Sequence, residues 1–333
     1  MLKGTLLVDA LNERIEQGLI RKSISDDGLT VYSYSEQCTF SRAWDNVTME
    51  ARGLILNDVG TIVSWPLRKF FNSGEPCCPE PPRGEGFEVF EKVDGSFLQI
   101  FNYQGQWRMA TRGSFRNEYI TFAEKYLPMA EKFPPNWTVL CEVCLPAELD
   151  PMPRCVQHEP GLYLLGARDK YSGHDMLYDR CLEYWGGKTV KRYGAVAIEE
   201  LLEQAKTLEG AEGWVVRWDS GQRMKVKSGW FMKLFRAISA LNENHIKELI
   251  MDRGFENVVV EFPEELQVEA ENILNTIKDR FDTKMTSIMN NFKAMRHPDR
   301  KTFALRIKDN PDRAFLFNLY DLKDITRDLV LRC

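Results

Sequence analysis

Short apolar runs separated by turn residues dominate the chain from about residue 30 to residue 235. Clear examples are GLILNDVGTIVSW (53–65), GFEVFEKVDGSFLQIF (86–101), NWTVLCEVCL (136–145) and LYLLGARD (162–169). Each run has the length of one or two strands and is rich in β-branched and aromatic residues. Helix-like segments, such as 116–132 and 197–208, lie between the runs. The pattern predicts an α+β domain built on antiparallel strands.

The hydrophobic period changes after about residue 236. Apolar side chains then recur at three- and four-residue spacing, as in Ile273, Ile277, Phe281, Met285 and Ile288. This spacing predicts one long amphipathic helix, which begins near Pro263 and ends before Pro298. Further helical segments follow at 299–308, 311–320 and 323–331. We therefore predict two domains, an α+β domain over 1–236 and an all-helical domain over 237–333.

Composition narrows the classes of function. The chain has 333 residues and a net charge of −5, with 44 Lys and Arg against 49 Asp and Glu. Such a balance provides no overall basic field, so a nucleic-acid site must be a local patch. No apolar run approaches the ~20 residues that span a membrane, and the start lacks the features of a signal peptide. We expect a cytoplasmic protein (in the host cell if it is encoded by a phage) with reduced cysteines and no membrane contact.

A K-x-D-G motif joins two of the predicted strands. Lys92 ends the strand-like run FEVFEK, and Asp94 and Gly95 follow before the next run begins. Gly95 would let the backbone turn sharply at this point. On its own the motif is weak, because a hairpin corner held by a surface Lys–Asp pair has the same sequence.

A second motif lies on a predicted hairpin at 212–228. Period-two alternation puts Arg223, Lys225 and Lys227 on one face, and it aligns Glu212 with Trp214. Three like charges on one small face repel each other unless an anion lies between them. The plain alternative is a solvated face that keeps an edge strand soluble. Pairing through the four-residue turn would place Glu212 diagonal to Lys227.

Three more charged residues complete the candidate chemistry. Glu142 lies among apolar neighbours in a predicted strand, where a lone acid needs a cation or a metal, with an arginine partner as the plain alternative. Arg52 and Lys69 lie near strand ends upstream of Lys92. Together with the lysine motifs, these residues describe a site for a triphosphate, a metal ion and a nucleophilic amine.

The order of these motifs resembles that of the covalent nucleotidyltransferases, and most of all the phage RNA ligase 1 type. The matching segments are ARG at 51–53, KFFN at 69–72, KVDG at 92–95, RGS at 112–114, EG at 212–213 and KVKSGWF at 225–231. The resemblance implies an antiparallel-sheet, ATP-grasp-like ligase adenylation domain followed by an all-α C-terminal domain. Capping enzymes and DNA ligases instead append an OB-fold barrel, for which the tail shows no strand-rich sequence.

The resemblance also implies an activity: an ATP-dependent RNA ligase that seals 5′-phosphate and 3′-hydroxyl RNA ends through lysyl-AMP and RNA-adenylate. The expected cofactors are ATP and Mg²⁺, with Mn²⁺ as the alternative ion, and the expected partner of a monomeric protein is RNA, including tRNA under repair. The alternatives are a DNA ligase, a GTP-dependent capping enzyme, or an RNA-binding protein that has lost catalysis.

The residue roles follow from the same resemblance. The predicted catalytic residues are Lys92, Asp94, Lys225 and Lys227. The predicted nucleotide-binding residues are Arg52, Lys69, Lys92, Gly95, Glu142, Glu212, Trp214, Lys225 and Lys227, of which Glu142 and Glu212 also serve the metal. Lys92 would be the nucleophile, Asp94 would orient it or the metal shell, and Arg52 and Lys69 would bind the β- and γ-phosphates. Independently of the resemblance, adenine needs an apolar slot, for which Trp214 and Val216 are the candidate walls and Tyr34 is a weaker candidate.

Overall fold

The structure is a computed structural model that describes residues 4–152, 154–194, 196–255, 258–259 and 264–332. The chain forms two compact units, Met1–Met232 and Lys233–Cys333. This division lies close to the boundary expected after residue 236. All strands of the described residues belong to the first unit, where they form three sheets. No helix in the described part of the chain is long and apolar enough to cross a membrane.

Sheet 1 is a four-stranded antiparallel sheet near the start of the chain. Its strands are β1 Ile20–Ile24, β2 Thr30–Tyr34, β3 Arg52–Leu56 and β4 Ile62–Ser64, in that order. Helix α1 (Thr5–Glu16) buries Leu7 and Leu11 in the core on one face. Two short helices, α2 (Glu36–Ser41) and α3 (Asn46–Glu50), connect β2 to β3. Ser35 caps the first, and Asp45 with Thr48 forms a capping box on the second.

Sheet 2 forms the centre of the first unit. Its strands are β7 Ser96–Tyr103, β8 Gln106–Thr111, β9 Trp137–Cys144, β10 Gly161–Asp169 and β11 Lys188–Thr189, and their order is β11-β10-β9-β7-β8. Only the short β11 pairs in the parallel sense. The sheet buries an apolar cluster that includes Leu98, Val139 and Leu162 together with Phe90 from sheet 3. Sheets 2 and 3 are therefore joined through a shared core.

Sheet 3 carries the strand that leads to the K-x-D-G motif. Its strands are β5 Phe71–Asn72, β6 Phe87–Glu91, β12 Arg192–Tyr193, β13 Gly213–Trp218 and β14 Arg223–Lys227, and their order is β12-β6-β13-β14-β5. Helix α7 (Ile198–Thr207) packs Leu201 and Ala205 into the core of one face. The predicted hairpin is present, since β13 and β14 pair in antiparallel fashion around the turn at 219–222.

The helical prediction for 116–132 is only partly correct. The structure has α4 (Glu118–Ala123), a 3₁₀ turn (Glu124–Tyr126) and α5 (Leu127–Ala130) in place of one helix. Proline occupies the first turn of α5, where its missing N–H removes a hydrogen bond that a continuous helix would need. Helix α6 (Tyr178–Tyr184) then follows β10.

The second unit is helical throughout its described residues. Its helices are α8 Gly229–Ala240, α9 Glu243–Arg253, α10 Glu264–Met295, α11 Arg300–Arg306, α12 Arg313–Tyr320 and α13 Thr326–Arg332, of which the first begins in the preceding unit. The long predicted helix is α10, with Ile277 and Ile288 fully buried. Pro263, where its start was predicted, lies outside the described residues.

Candidate active site

Lys92 lies just past the end of β6, where the chain leaves sheet 3. Its backbone N–H donates to the carbonyl of Gly213 at 2.9 Å, which holds the residue beside β13. Its Nζ donates to Glu212 Oε2 at 2.8 Å, and its side chain is 20% exposed. The second oxygen of Glu212, Oε1, accepts from Lys227 Nζ at 2.9 Å. A carboxylate that is only 4% exposed therefore bridges the two predicted lysines.

Gly213 explains why Glu212 reaches these lysines. Its φ is +130°, a region that disfavours any side chain, and a Cβ there would lie 2.0 Å from the carbonyl oxygen of Val226. This conformation interrupts the alternation of β13 at its first residue. The predicted contact of Glu212 with Lys227 is present, but the predicted alignment of Glu212 with Trp214 is wrong.

Trp214 is a correction to the predicted nucleotide pocket. The side chain is 5% exposed and belongs to the core beneath α7, with Val216 and Val226. In the β13–β14 register, Trp214 pairs with Val226, whereas Val215 pairs with Lys225. Because neighbouring residues of a strand point to opposite faces, Trp214 lies on the face opposite Lys225 and cannot wall a pocket there. Val215 is the apolar residue that β13 presents on the lysine face.

Lys225 is a strongly perturbed cation of the site. Burial, together with the nearby charges of Arg52, Lys69, Lys92 and Lys227, lowers the pKa of Lys225 to about 6. No carboxylate pairs with it among the described residues, and its Nζ lies 4.7 Å from the centre of the Phe70 ring. Arg52 lies over the same ring at 5.6 Å. Loss of a proton from one member relieves the repulsion within such a cluster when no anion is bound.

Arg223, the third member of the predicted cation row, has a different environment. It forms an ion pair with Asp175, which also lies 3.9 Å from the guanidinium of Arg217. All three side chains are largely buried. The charge on Arg223 is therefore balanced within the fold, and the row that remains open to a ligand ends at Lys225.

Lys69 lies among aromatic rings, near Tyr34, which was the weaker candidate for the adenine pocket, and near Arg112 of the RGS segment. Its Nζ is 5.0 Å from the Phe71 ring, 5.2 Å from the Trp44 ring and 5.8 Å from the Tyr34 ring. Arg112 donates to the Tyr34 hydroxyl at 3.1 Å. Burial raises the pKa of Tyr34, but the charges of Arg112, Arg52 and Lys69 outweigh it and lower the pKa overall. Tyr34 therefore lies within the group of cations formed by Arg52, Lys69 and Arg112.

Glu142 projects from β9 toward the same cluster. Burial raises its pKa to about 7, with Lys92 opposing this shift and Glu212 adding to it. In the described part of the chain the carboxylate has no hydrogen bond and no ion pair. Gly95 makes this approach possible, because a Cβ at Gly95 would lie 2.8 Å from Glu142 Cγ and 2.7 Å from the carbonyl of Val143. Close approach of two strands, rather than an unusual turn, is what requires glycine here.

Asp94 holds a loop. Its carboxylate accepts from the backbone N–H groups of Cys155 and Val156 at 2.9 and 3.2 Å. Arg154 completes this clasp by donating to the Gly95 carbonyl at 2.6 Å. No hydrogen bond or ion pair joins Asp94 to Lys92 within the described residues, so the predicted direct orientation of the lysine is not observed. No sequence pattern pointed to Arg154.

The fold and site together define a nucleotidyltransferase of the ligase type, in which a lysine at the end of β6 meets a glutamate and a K-x-K strand. An archaeal ATP-dependent RNA ligase of known structure aligns with a TM-score of 0.52 over 90% of this chain and 85% of its own, at 17% identity. This likeness confirms the predicted fold class. A family model described as RNA ligase matches residues 50–237, more than half of the chain, and the chain belongs to this family.

Two curated relatives show how far the likeness extends. RNA ligase 1 of bacteriophage TS2126 is 28% identical over 65% of this chain, and the alignment spans 58% of that relative. An RNA ligase of Rhodothermus phage RM378 is 23% identical over 92% of this chain and 87% of its own length.

Proposed function

We propose that the protein is an ATP-dependent RNA ligase that joins 5′-phosphate and 3′-hydroxyl RNA ends. The observation that carries the proposal is the Lys92 amine, which is held at 2.8 Å by a buried carboxylate and surrounded by cations. A purely structural lysine would not need Lys225, Arg52 and Lys69 close by, since their mutual repulsion destabilises the folded protein.

The first step forms a covalent lysyl-AMP. The unprotonated Lys92 Nζ attacks the α-phosphorus of ATP, the bond from that phosphorus to the β-phosphate oxygen breaks, and pyrophosphate leaves. Glu212 fixes the direction of the amine through its hydrogen bond. An ordinary lysine is protonated near pH 7, so the amine must release its proton to solvent before the P–N bond forms.

The neighbouring cations oppose the charge that develops on the departing phosphates. Lys225, with its lowered pKa, takes up a proton when the triphosphate enters and then stabilises negative charge. The Glu142 carboxylate, which lacks an ion-pair partner among the described residues, fits a divalent cation, whereas both Glu212 oxygens are bonded to lysines. Glu142 would hold Mg²⁺ or Mn²⁺, which supplies positive charge at the phosphoryl oxygens. A metal role for Glu212 stays a prediction.

The later steps move AMP to RNA. An oxygen of the RNA 5′-phosphate attacks the AMP phosphorus, the P–N bond breaks, and the Lys92 amine regains its proton. The 3′-hydroxyl of a second end then attacks the 5′-phosphorus and releases AMP. Membership of the RNA ligase family favours RNA over DNA as substrate. A role in tRNA repair stays a prediction.

The test is incubation with Mg²⁺ and ATP labelled at the α-phosphate, followed by denaturing electrophoresis. We expect a label that survives denaturation, is released by pyrophosphate, and disappears in Lys92→Met. Lys206→Met, an exposed lysine on α7, is the matched control and should label normally. Labelled GTP run in parallel separates ligase from capping chemistry.

Addition of RNA or DNA ends to the labelled enzyme then identifies the polymer. We expect the label to move to 5′-phosphorylated RNA, and sealing to need a 3′-hydroxyl. A folded wild-type protein that takes no label from any nucleotide would leave only the non-catalytic RNA-binding alternative.

A further inference from the structure

A second cationic feature of the first unit lies beside Lys69. It is a cavity of about 580 Å³ between β1, β2, α2 and the start of the RGS segment, here called the Tyr34 cavity. Its lining includes Arg21, Ser33, Tyr34, Phe40, Lys69 and Arg112. The charge of Lys69 also lowers the pKa of Lys225, so the cavity adjoins the lysine cluster.

The charges of the Tyr34 cavity are not balanced by carboxylates. Arg112 contacts the ring and hydroxyl of Tyr34, and Lys69 contacts aromatic rings, but neither has a carboxylate partner in the described residues. The single acidic side chain in the lining, Glu36, lies 3.9 Å from Arg21 with both groups mostly exposed. An exposed pair of this kind contributes little, so the cavity keeps a net positive charge that an anion would balance.

An aromatic ring stands at the rim of the cavity. Phe40 on α2 is 84% exposed, while Cys38 on the same helix is fully buried. A solvent-exposed phenylalanine next to a cationic lining is the combination that single-stranded nucleic acid uses, with bases stacked on the ring and phosphates held by cations. A free inorganic anion has no base that could stack on the ring.

The order of bond changes at the AMP phosphorus links the cavity to the RNA. In each in-line displacement, the entering and leaving groups lie on opposite sides of that phosphorus. Lys92 enters while pyrophosphate leaves, and in the next step Lys92 leaves while the RNA phosphate enters. The RNA 5′-phosphate must therefore approach from the side where pyrophosphate departed, which is the side predicted for Lys69.

We propose that the Tyr34 cavity binds the 5′-phosphorylated end of the RNA strand that receives AMP. Lys69 and Arg112 bind the terminal phosphate once pyrophosphate has left, Arg21 binds a following phosphodiester, and Phe40 stacks on a base near that end. An oxygen of the terminal phosphate forms the bond to the AMP phosphorus, and the P–N bond to Lys92 breaks. This inference rests on the proposed function.

The test separates AMP transfer from self-adenylation. Enzyme carrying labelled lysyl-AMP is mixed in a single turnover with increasing concentrations of a 5′-phosphorylated RNA oligonucleotide. For Phe40→Ala we expect the half-saturating RNA concentration to rise roughly tenfold, from the loss of one stacked base. Self-adenylation, which needs no RNA, stays at the wild-type rate, and Phe40→Trp restores transfer. Tyr171→Ala, an exposed aromatic outside the cavity lining, is the control.

Arg21→Gln tests the phosphate contact independently. Loss of one single-strand phosphate contact lowers the slope of log affinity against log salt by roughly 0.7. Arg180→Gln, an exposed arginine on α6, should leave the slope unchanged. The inference would be wrong, with the proposed function intact, if self-adenylation were normal while Phe40→Ala transferred AMP like the wild type and Arg21→Gln kept the wild-type salt slope. Absence of self-adenylation in the wild type would overturn the proposed function instead.

Discussion

Two cationic cavities of the first unit differ in what balances their charge. In the Tyr34 cavity, Lys69 and Arg112 have no carboxylate partner among the described residues, and Arg21 meets only Glu36, at 3.9 Å, with both side chains mostly exposed. A second cavity of about 690 Å³, the Arg223 cavity, is lined by Arg68, Lys69, Arg168, Arg217 and Arg223. Each of its four arginines lies within 4 Å of a carboxylate, either Asp175 or Glu50.

The difference teaches how to interpret a basic cluster. Glu50 is largely buried and also accepts from Trp65 Nε1 at 2.8 Å, so the acids of the Arg223 cavity are built into the core. Charges paired in this way hold loops together and attract few ligands. Charges without acids, as at Lys225, raise the free energy of the empty protein and lower it when an anion binds. The number of cations alone does not distinguish the two.

The largest expected effect comes from removing a cation that has no carboxylate partner among the described residues. Lys225→Met should slow self-adenylation on the order of 10²- to 10³-fold, because it removes one charge that stabilises the departing phosphates. Its melting temperature should not fall, since Lys225 has no ion pair among the described residues and its protonated form is repelled by the neighbouring cations. Arg223→Met, two residues away on the same strand face, should lower the melting temperature and leave self-adenylation largely unchanged. Single-turnover labelling and thermal unfolding measure the two effects, and equal losses of adenylation in both variants would contradict the comparison.

The next effect concerns the arginines of the Arg223 cavity, which are paired with carboxylates. Asp175→Asn leaves Arg217 and Arg223 largely buried without their carboxylate, and we expect a destabilisation of about 3 kcal/mol. Denaturant unfolding of the first unit measures it. Asp219→Asn, an acid in the same lining that forms no ion pair among the described residues, is the matched control. Self-adenylation per folded molecule should stay unchanged, and a specific loss of adenylation would mean that the Arg223 cavity binds nucleotide.

A smaller effect follows from the pKa of Lys225, which is lowered to about 6 in the free protein. ATP favours the protonated form and raises this pKa, so ATP affinity without divalent ions should fall as the pH rises from 6 to 8, by up to about tenfold per pH unit. Lys225→Arg stays charged over this range and should retain its affinity, while Lys225→Met should be weak throughout. Calorimetry at each pH compares the three proteins. The ionisation of Glu142 and of ATP affects all three proteins equally. Parallel plots of ATP affinity against pH would therefore contradict the lowered pKa of Lys225.

The smallest effect sharpens the view of the Tyr34 cavity. Glu36→Gln removes its single acidic side chain, and we expect roughly a twofold gain in RNA affinity, in line with the small energy of an exposed ion pair. Fluorescence anisotropy with a 5′-phosphorylated oligonucleotide measures it at low salt. The gain should vanish at high salt, and a loss of affinity would show that Glu36 supports the site rather than opposing it.

Much of the framework could be predicted from local patterns. Period-two alternation predicted the 212–228 hairpin with Lys225 and Lys227 on one face, and the change to a helical period predicted the all-helical second unit. Lys92 at the end of a strand followed from the apolar run before it. These features depend on backbone periodicity, which each short segment carries in its own sequence.

The identity of partners was decided by the tertiary structure. Lys92 and Glu212 lie 120 residues apart in sequence, and their contact requires β6 and β13 to pair and Gly213 to bend the strand. The same pairing buries Trp214, which local alternation had placed with Glu212. Only assembled sheets show that Asp175 balances Arg223 while Lys225 has no acid. Sequence determined which residues carry charge and which face of a strand they share, whereas packing between distant segments determined which charges remain for a ligand.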